Sequence, residues 1–261
     1  MIVIIIPARY ASSRYPGKPL VQLRGKDGTT KPLIQRSWET AMAVRGVDSV
    51  YVATDDDRIA GVAAEFGAQV LMTSTNARNG TERCAEALAR LGVPPDIVIN
   101  LQGDAPLTPP WFIEDLIRSM QSDPRLSVAT PVLRCDALTY ANFVTDRLNG
   151  RVGGTTAVFD RNMRALYFSK EVIPYLPTAP APGDLVPVFH HVGVYAYRPQ
   201  ALLDYADFPE GTLETLEGLE QLRFMENGTN VHCVEVNARG RIFWELNNPV
   251  DVERIEAVLC A

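Results

Sequence analysis

Short apolar runs alternate with helical patterns over the first half of the chain, and this alternation constrains the fold more than any other feature. Strands are predicted at 2–6, 49–53, 69–72 and 96–101. Helices are predicted between them, at 31–45, 56–66 and 80–91. The strands are apolar on both faces, which is typical of a parallel sheet covered by helices on both sides. The pattern therefore predicts an α/β fold built on a doubly wound sheet.

After about residue 126 the pattern changes, and predicted strands follow one another with few helices between them. These strands are expected at 127–133, 155–159, 165–168 and 191–198. The proline-rich stretch 174–187 is expected to be a loop or linker. Helical periodicity returns at 213–226, along a stripe of leucines, and at 249–259. The middle region is therefore predicted to be a β-rich appendage and a candidate subunit contact.

Composition and charge exclude several classes of protein. With 46% hydrophobic and 21% charged residues, the chain of 261 residues can bury a core and does not read as disordered. Its net charge of -6 argues against broad nucleic-acid binding, which needs a basic face. No apolar run approaches the roughly 20 residues of a membrane helix. Residues 1–6 lack the features of a signal peptide, and the four cysteines lack zinc or disulfide spacing. We therefore expect a cytoplasmic protein without nucleic-acid or membrane partners.

The stretch 7–20 carries the most chemical information. It follows the first predicted strand directly, so it is expected at the carboxyl end of the sheet, where doubly wound folds bind ligands. Arg9, Arg14 and Lys18 lie in it among small residues that let backbone N–H groups approach phosphates. It matches neither the P-loop nor the dinucleotide fingerprint. The stretch predicts a triphosphate site, with a solvated basic loop as the alternative.

Two further stretches are expected at the same edge of the sheet. Asp104 follows a buried strand beside a glycine, where an α/β enzyme would place a ligand for Mg²⁺, which prefers one or two carboxylates plus phosphates. The stretch 79–83 opens a helix, whose N-terminus offers N–H donors to an anion or a base edge. The alternatives are an Asp in an ordinary turn and a plain helix cap with Thr81 as the N-cap residue.

Candidate polar residues also occur in the second half of the chain. Along the predicted strand at its centre, His191 and Tyr195 share one face with a glycine between them, as a pocket lining or a half-exposed strand would. On the helix predicted at 213–226, Glu217 and Gln221 form an i, i+4 pair beside the leucines. A solvated acidic flank is the alternative for that pair.

Taken together, these residues resemble a known family. The resemblance is carried by PARYASSRYPGKPL, NGTER, LQGDAP, ALYFSK, HHVGVYAY and LEGLEQLRFM, in that order along the chain. The family is that of the 3-deoxy-manno-octulosonate cytidylyltransferases, which contribute to lipopolysaccharide biosynthesis. The resemblance implies a Rossmann-like nucleotidyltransferase fold with a mostly parallel sheet and a homodimer formed through the β-rich region. It also implies Mg²⁺ as cofactor, CTP and a small acidic sugar as substrates, and attack of a sugar oxygen on the α-phosphorus.

The resemblance also implies roles for individual residues. Catalytic roles fall to Arg14, Lys18 and Asp104. Substrate contacts fall to Arg9, Ser12, Asn79, Gly80, Arg83, Gln102, His191, Tyr195, Glu217 and Gln221, with Glu220 as a further candidate. Metal ligands are expected among Asp104, Asn247 and Glu245. A single domain is expected, with a nucleotide-binding part at 1–125, a β-rich sugar-binding and dimer region at about 126–200 and closing helices with a metal-site strand at 201–261.

The sequence departs from the family's motifs around the metal and the sugar. The usual GDEP is GDAP at 103–106, VKVV is TTAV at 155–158, and VDTP is LNNP at 246–249. The loop at 25–31 is longer than usual. These changes leave three alternatives open. The first is a different acid substrate, such as a sialic-acid-like sugar, an amino sugar or a phosphonate. The others are a catalytically silent relative and, on the sheet pattern alone, a dinucleotide-dependent oxidoreductase.

Overall fold

The structure is a computed structural model that describes residues 1–11, 15–151, 154–246 and 248–260. Its strands are β1 (Ile2–Ala8), β2 (Gln22–Arg24), β3 (Thr30–Pro32), β4 (Ser49–Thr54), β5 (Gln69–Met72), β6 (Ile97–Leu101), β7 (Val128–Asp136), β8 (Thr156–Phe159), β9 (Ala165–Ser169), β10 (Leu185–His191), β11 (Val194–Tyr197) and β12 (Val231–Val236). Its helices are α1 (Leu33–Met42), α2 (Asp57–Glu65), α3 (Gly80–Leu88), α4 (Pro110–Ser122), α5 (Ala137–Leu148), α6 (Pro199–Asp207), α7 (Thr212–Glu217), α8 (Gln221–Glu226) and α9 (Asp251–Leu259). A short 3-10 helix spans Lys18–Leu20.

The first half of the chain forms the parallel part of the main sheet, in the order β5, β4, β1, β6. All seven residues of β1 are buried, and alternate side chains pack on opposite faces. Ile4 packs in one core cluster with Ile34 of α1 and Leu116 of α4, whereas Ile5 packs in another with Leu88 of α3. Burial of each such side chain on folding stabilises the folded protein by about 1.5–3 kcal/mol. The prediction of an α/β fold with helices on both faces is confirmed.

The second half of the chain extends the same sheet with antiparallel strands. β11 lies beside β6, and β7 pairs with β10, β11 and, in parallel, β12. The hairpin β8–β9 pairs with β10 through β8, and Arg164, just before β9, forms an isolated bridge to His232 in β12. The predicted β-rich middle region is thus present, and α5, capped by the side chain of Asp136, is inserted between its strands.

Three predicted segments differ from the structure. The strand predicted at 191–198 is broken, because the N–H of Val194 bonds to the carbonyl of Val192 and bends the chain between β10 and β11. The loop predicted at 174–187 ends earlier, since β10 already begins at residue 185. The single helix predicted at 213–226 is two helices, because Gly218 takes a left-handed conformation (φ 60°) that ends α7.

No helix among the described residues is both long enough and apolar enough to cross a membrane.

Candidate active site

A cavity of about 580 Å³ opens at the carboxyl ends of β1 and β6. This volume is typical of a small-molecule site. Of the residues predicted from the sequence, those that line the cavity are Arg9, Lys18, Asn79, Gly80, Arg83, Gln102, Asp104, His191, Tyr195, Glu220, Gln221 and Glu245. Ser12, Arg14 and Asn247 lie outside the described residues. Residues from six separate stretches of the chain therefore meet in one place.

Lys18 and Asp104 form an ion pair on one wall of the cavity. The Nζ atom of Lys18 donates to Oδ2 of Asp104 at 2.5 Å, and the two side chains are 14% and 25% exposed. Lys18 is placed by a turn in which Gly17 has a φ of 70°. Asp104 is held against the end of β1 because Gly103 lies so close that a Cβ would be 2.9 Å from the carbonyl of Pro7. The predicted cation and the predicted metal ligand thus face each other.

Glu245 brings a second carboxylate to the same cavity. The N–H of Leu246 donates to the carbonyl of Asp104 at 2.9 Å, which fixes the C-terminal segment beside the ion pair. Gly193, in the bend between β10 and β11, leaves room for this acid, because a Cβ there would lie 2.9 Å from Oε1 of Glu245. Carboxylate oxygens of this kind are the donors that Mg²⁺ prefers.

The start of α3 forms the next part of the wall. Asn79 is the N-cap residue, since its Oδ1 accepts from the N–H of Glu82 at 2.9 Å, so the alternative of a cap at Thr81 is wrong. The N–H of Thr81 instead donates to Oε2 of Glu220 at 3.0 Å. Gly80 is closely covered, because a Cβ there would meet Nε2 of Gln102 at 2.7 Å.

Glu220 is the acid that the split between α7 and α8 brings to the cavity. Its Oε1 accepts from Nε2 of Gln102 at 2.9 Å, and burial raises the pKa of its carboxyl group. Glu217 does not line the cavity: it accepts from Oγ of Ser169 at 2.7 Å and from the N–H of Lys170 at 2.9 Å. The expectation that Glu217 faces the cavity is therefore wrong, because the left-handed Gly218 turns the chain between the two acids.

The floor of the cavity is a layer of buried polar side chains. The hydroxyl of Tyr195 donates to Oε1 of Gln221 at 3.1 Å. The Nε2 donor of Gln221 is buried and finds no partner within the described part of the chain. His191 is 6% exposed, with Nε2 at 2.9 Å from Oγ1 of Thr130, and burial lowers its pKa to about 3. Its imidazole is therefore neutral at pH 7.

The side chain of Arg83 is buried beneath the surface of the cavity and is held there by polar contacts. Its side chain is 2% exposed, and Nη1 donates to Oγ1 of Thr73 at 2.5 Å and lies 3.4 Å from Oδ1 of Asp55. These contacts fix the guanidinium between α3 and the ends of two parallel strands.

Several charged residues of the cavity received no role from the sequence. They are Arg78, Lys170, Glu210, Glu214 and Arg223. Lys170 ends the ALYFSK stretch, where a cation directly after an apolar strand was an available signal. The acids and arginines were not identifiable, because they reach the cavity through the packing of α3, α6, α7 and α8.

Comparison with known proteins agrees with this geometry. The chain matches the family model described as cytidylyltransferase over residues 3–231. It is 43% identical to the 3-deoxy-manno-octulosonate cytidylyltransferase of Maricaulis maris (strain MCS10), over 100% of this chain and 97% of the relative. It is 39% identical to the 8-amino-3,8-dideoxy-manno-octulosonate cytidylyltransferase of Shewanella sp. (strain W3-18-1), over 100% and 99%.

A solved structure of CMP:2-keto-3-deoxy-manno-octonic acid synthetase complexed with CTP is similar in fold. It matches with a TM-score of 0.82 and 37% identity, over 98% of this chain and 97% of that one. The predicted nucleotidyltransferase fold and the resemblance drawn from the motifs are confirmed. The chain belongs to the cytidylyltransferase family, a family of nucleotidyltransferases.

Proposed function

We propose that the protein transfers CMP from CTP to 3-deoxy-manno-octulosonate and releases pyrophosphate. The observation that carries this proposal is the two-sided cavity. One wall holds Lys18, Asp104 and the start of α3, and the other holds Gln221 and Lys170. The relatives with the corresponding activity in their names match this chain over nearly its whole length. A cytoplasmic location, where CTP is available, is part of the same proposal.

The wall at the ends of β1 and β6 is the proposed nucleotide side. Arg9 and Lys18 supply positive charge for a triphosphate, and Asn79 and Gly80 present the start of α3 to the cytidine. Arg14 and Ser12 belong to the same proposed set from the sequence. Charge that develops on the leaving pyrophosphate is stabilised by Lys18, whose ammonium group is already held in the cavity.

Mg²⁺ is the proposed cofactor, and the donors in the cavity fit it. The described residues contain no group of three or more His, Cys, Asp or Glu side chains arranged to hold a metal. Mg²⁺ does not require such a group, since it uses one or two carboxylates together with substrate phosphates. Asp104 and Glu245 would hold it, with Asn247 as the further ligand proposed from the sequence. When bound, the ion neutralises phosphate charge and makes the α-phosphorus more electrophilic.

The opposite wall is the proposed site of the acidic sugar. The Nε2 donor of Gln221, which has no partner among the described residues, is proposed to bind an oxygen of the sugar, and the hydroxyl of Tyr195 holds that amide in place. Lys170 supplies a positive charge for the carboxylate. His191 is neutral and contributes only hydrogen bonding and packing. These residues orient the sugar so that one of its hydroxyl oxygens attacks the α-phosphorus.

A second candidate acceptor is the amino sugar 8-amino-3,8-dideoxy-manno-octulosonate. The observation that favours it is that a Shewanella relative with this substrate in its name matches at 39% identity over the whole chain. The two acceptors differ only in one substituent, so the same cavity suits both. A direct comparison of rates separates them.

We also propose a homodimer formed through the β-rich region. Exposed apolar side chains concentrate on α5 and the chain that leads into β10: Leu138, Leu148, Tyr175 and Leu185. The same elements share a small core cluster of their own. Exposed apolar side chains grouped in this way are typical of a contact surface.

The test is a pyrophosphate-release assay on the purified protein with Mg²⁺. CTP with 3-deoxy-manno-octulosonate is expected to give turnover, and ATP, GTP and UTP are expected to give much less. The amino sugar is assayed in parallel. Nucleotide binding without turnover on any acid would identify a silent relative, and equal rates with all four nucleotides would contradict the cytidylyl assignment.

A further inference from the structure

A buried ionic cluster, two of whose members line the cavity, joins the two walls. The side chain of Arg223 on α8 is 1% exposed. Its Nε and Nη2 donate to the two carboxylate oxygens of Glu214 at 2.6 and 2.7 Å, and its Nη1 donates to Oε1 of Glu82 on α3 at 2.8 Å. The guanidinium also lies over the ring of Tyr205, 4.4 Å from its centroid. Arg223 thus ties the start of α3 to α7 and α8.

The hydroxyl group of Tyr205 makes the second link between the walls. It accepts from Nδ2 of Asn79 at 2.8 Å and donates to the carbonyl of Glu220 at 3.1 Å. Asn79 belongs to the nucleotide side, and Glu220 belongs to the corner that carries Gln221. This buried hydroxyl therefore acts together with the bonds from Thr81 and Gln102 to Glu220 in setting the distance between the two substrate sides.

The free energy needed to desolvate the buried charges of this cluster indicates a role beyond folding. Burying a guanidinium with two carboxylates gives little or no net stability compared with apolar side chains of similar volume. What the cluster does supply is a fixed geometry, since a bidentate pair allows few orientations. Both links run between the walls, so the geometry they fix is that of the two substrate sides relative to each other.

We propose that Tyr205 and Arg223 are positioning residues that couple the binding of the nucleotide to the binding of the acidic sugar. The inference rests on the proposed function. A nucleotide that orders Asn79 and the start of α3 also sets the position of the corner that carries Glu220 and Gln221. The hydroxyl of Tyr205 and the guanidinium of Arg223 transmit this effect. By linkage, the sugar then increases the affinity for the nucleotide by the same factor.

The test measures this coupling without turnover. α,β-Methylene-CTP, which cannot release pyrophosphate, is titrated into the Mg²⁺-loaded protein by calorimetry, with and without saturating 3-deoxy-manno-octulosonate. In the wild-type protein we expect the sugar to lower the Kd of the analogue at least about fivefold. In Tyr205→Phe, which removes only the hydroxyl, we expect the ratio to fall to about twofold or less. Arg223→Lys, which loses the fork but keeps the charge, is expected to do the same.

Tyr197→Phe is the matched control. Tyr197 is buried in the same core, and its hydroxyl is 3.0 Å from Oγ1 of Thr81, but within the described part of the chain it makes no hydrogen bond to α7 or α8. It should keep the wild-type ratio even if its melting temperature falls. Two results would overturn the inference but leave the proposed function standing. One is a ratio of Kd values without and with sugar in Tyr205→Phe equal to that of the wild type. The other is a wild-type Kd for the analogue that the sugar does not change. Failure of the wild-type protein to bind the analogue overturns the proposed function and the inference with it.

Discussion

His191 is expected to make the folded protein sensitive to acid. Its imidazole is packed against the ring of Phe168, with centroids 4.8 Å apart, and its Nε2 meets the hydroxyl of Thr130. Burial lowers its pKa from 6.5 to about 3, and the neighbouring His190 adds to the lowering. Because the pKa returns to its ordinary value on unfolding, only the unfolded chain takes up this proton between these two pH values.

The sign and size of the effect follow from this difference. The stability that depends on a neutral His191 is fully present above pH 6.5 and is lost as the pH falls towards 3. Each pH unit in that window lowers the free energy of unfolding by about 1.4 kcal/mol through this one group. Between pH 6.5 and 4 the loss amounts to about 3 kcal/mol.

The assay is urea unfolding of the wild-type protein and of His191→Gln at several pH values from 7 to 4. The wild-type free energy of unfolding should fall more steeply with acid, by about 1 kcal/mol per pH unit. His232→Gln is the control: His232 is less buried, and Asp123 and Asp160 oppose the lowering of its pKa, so its removal should change the slope less. If the free energy of unfolding fell equally steeply with decreasing pH in the wild type and in His191→Gln, the reasoning would be refuted.

Three further predictions concern the site and the assembly. Lys18→Ala should lower kcat roughly 100-fold and change the melting temperature little. The reason is that the ammonium group stabilises mainly the negative charge that develops on the leaving pyrophosphate in the transition state. Turnover equal to that of the wild type would contradict this. Gly193→Ala should displace the carboxylate beside it and raise the Mg²⁺ concentration for half-maximal activity, whereas Gly92→Ala, with open space around it, should not. Leu148→Glu should give a monomer in sedimentation experiments, unlike Leu216→Glu, which is similarly exposed but lies on α7; an unchanged dimer would exclude this surface.

The parallel half of the fold was predictable because its strands are buried on both faces. A run such as β1, with seven buried residues, has no polar side to confuse the pattern, and the helices beside it carry regular apolar stripes. The second half was less predictable because single residues redirect the chain. The leucines at 213–226 show helical spacing, yet Leu216 is 78% exposed and Leu222 is fully buried. A left-handed Gly218 between them is invisible to any periodicity.

The turn at Gly218 also explains why Glu217 was predicted for the site although Glu220 lines the cavity. Glu217 and Gln221 are an i, i+4 pair only if one helix contains both, and α7 and α8 are separate helices. Glu220 takes the position in the cavity, and Glu217 anchors the end of β9. By contrast, Lys18 and Asp104 could be expected to meet, because each follows a parallel strand of the same sheet and parallel strands end at one edge.

The ion pair of Lys18 and Asp104 also explains how an acidic protein can hold a triphosphate. With a net charge of -6, the chain has no broad positive field to attract CTP. At physiological ionic strength charges more than about 8 Å away are largely screened, so only local cations matter. Lys18 is paired with Asp104, which limits the cost of holding a largely buried ammonium group. We propose that a phosphate of CTP competes with Asp104 for this cation, so that affinity depends on this exchange of partners rather than on the charge of the whole protein.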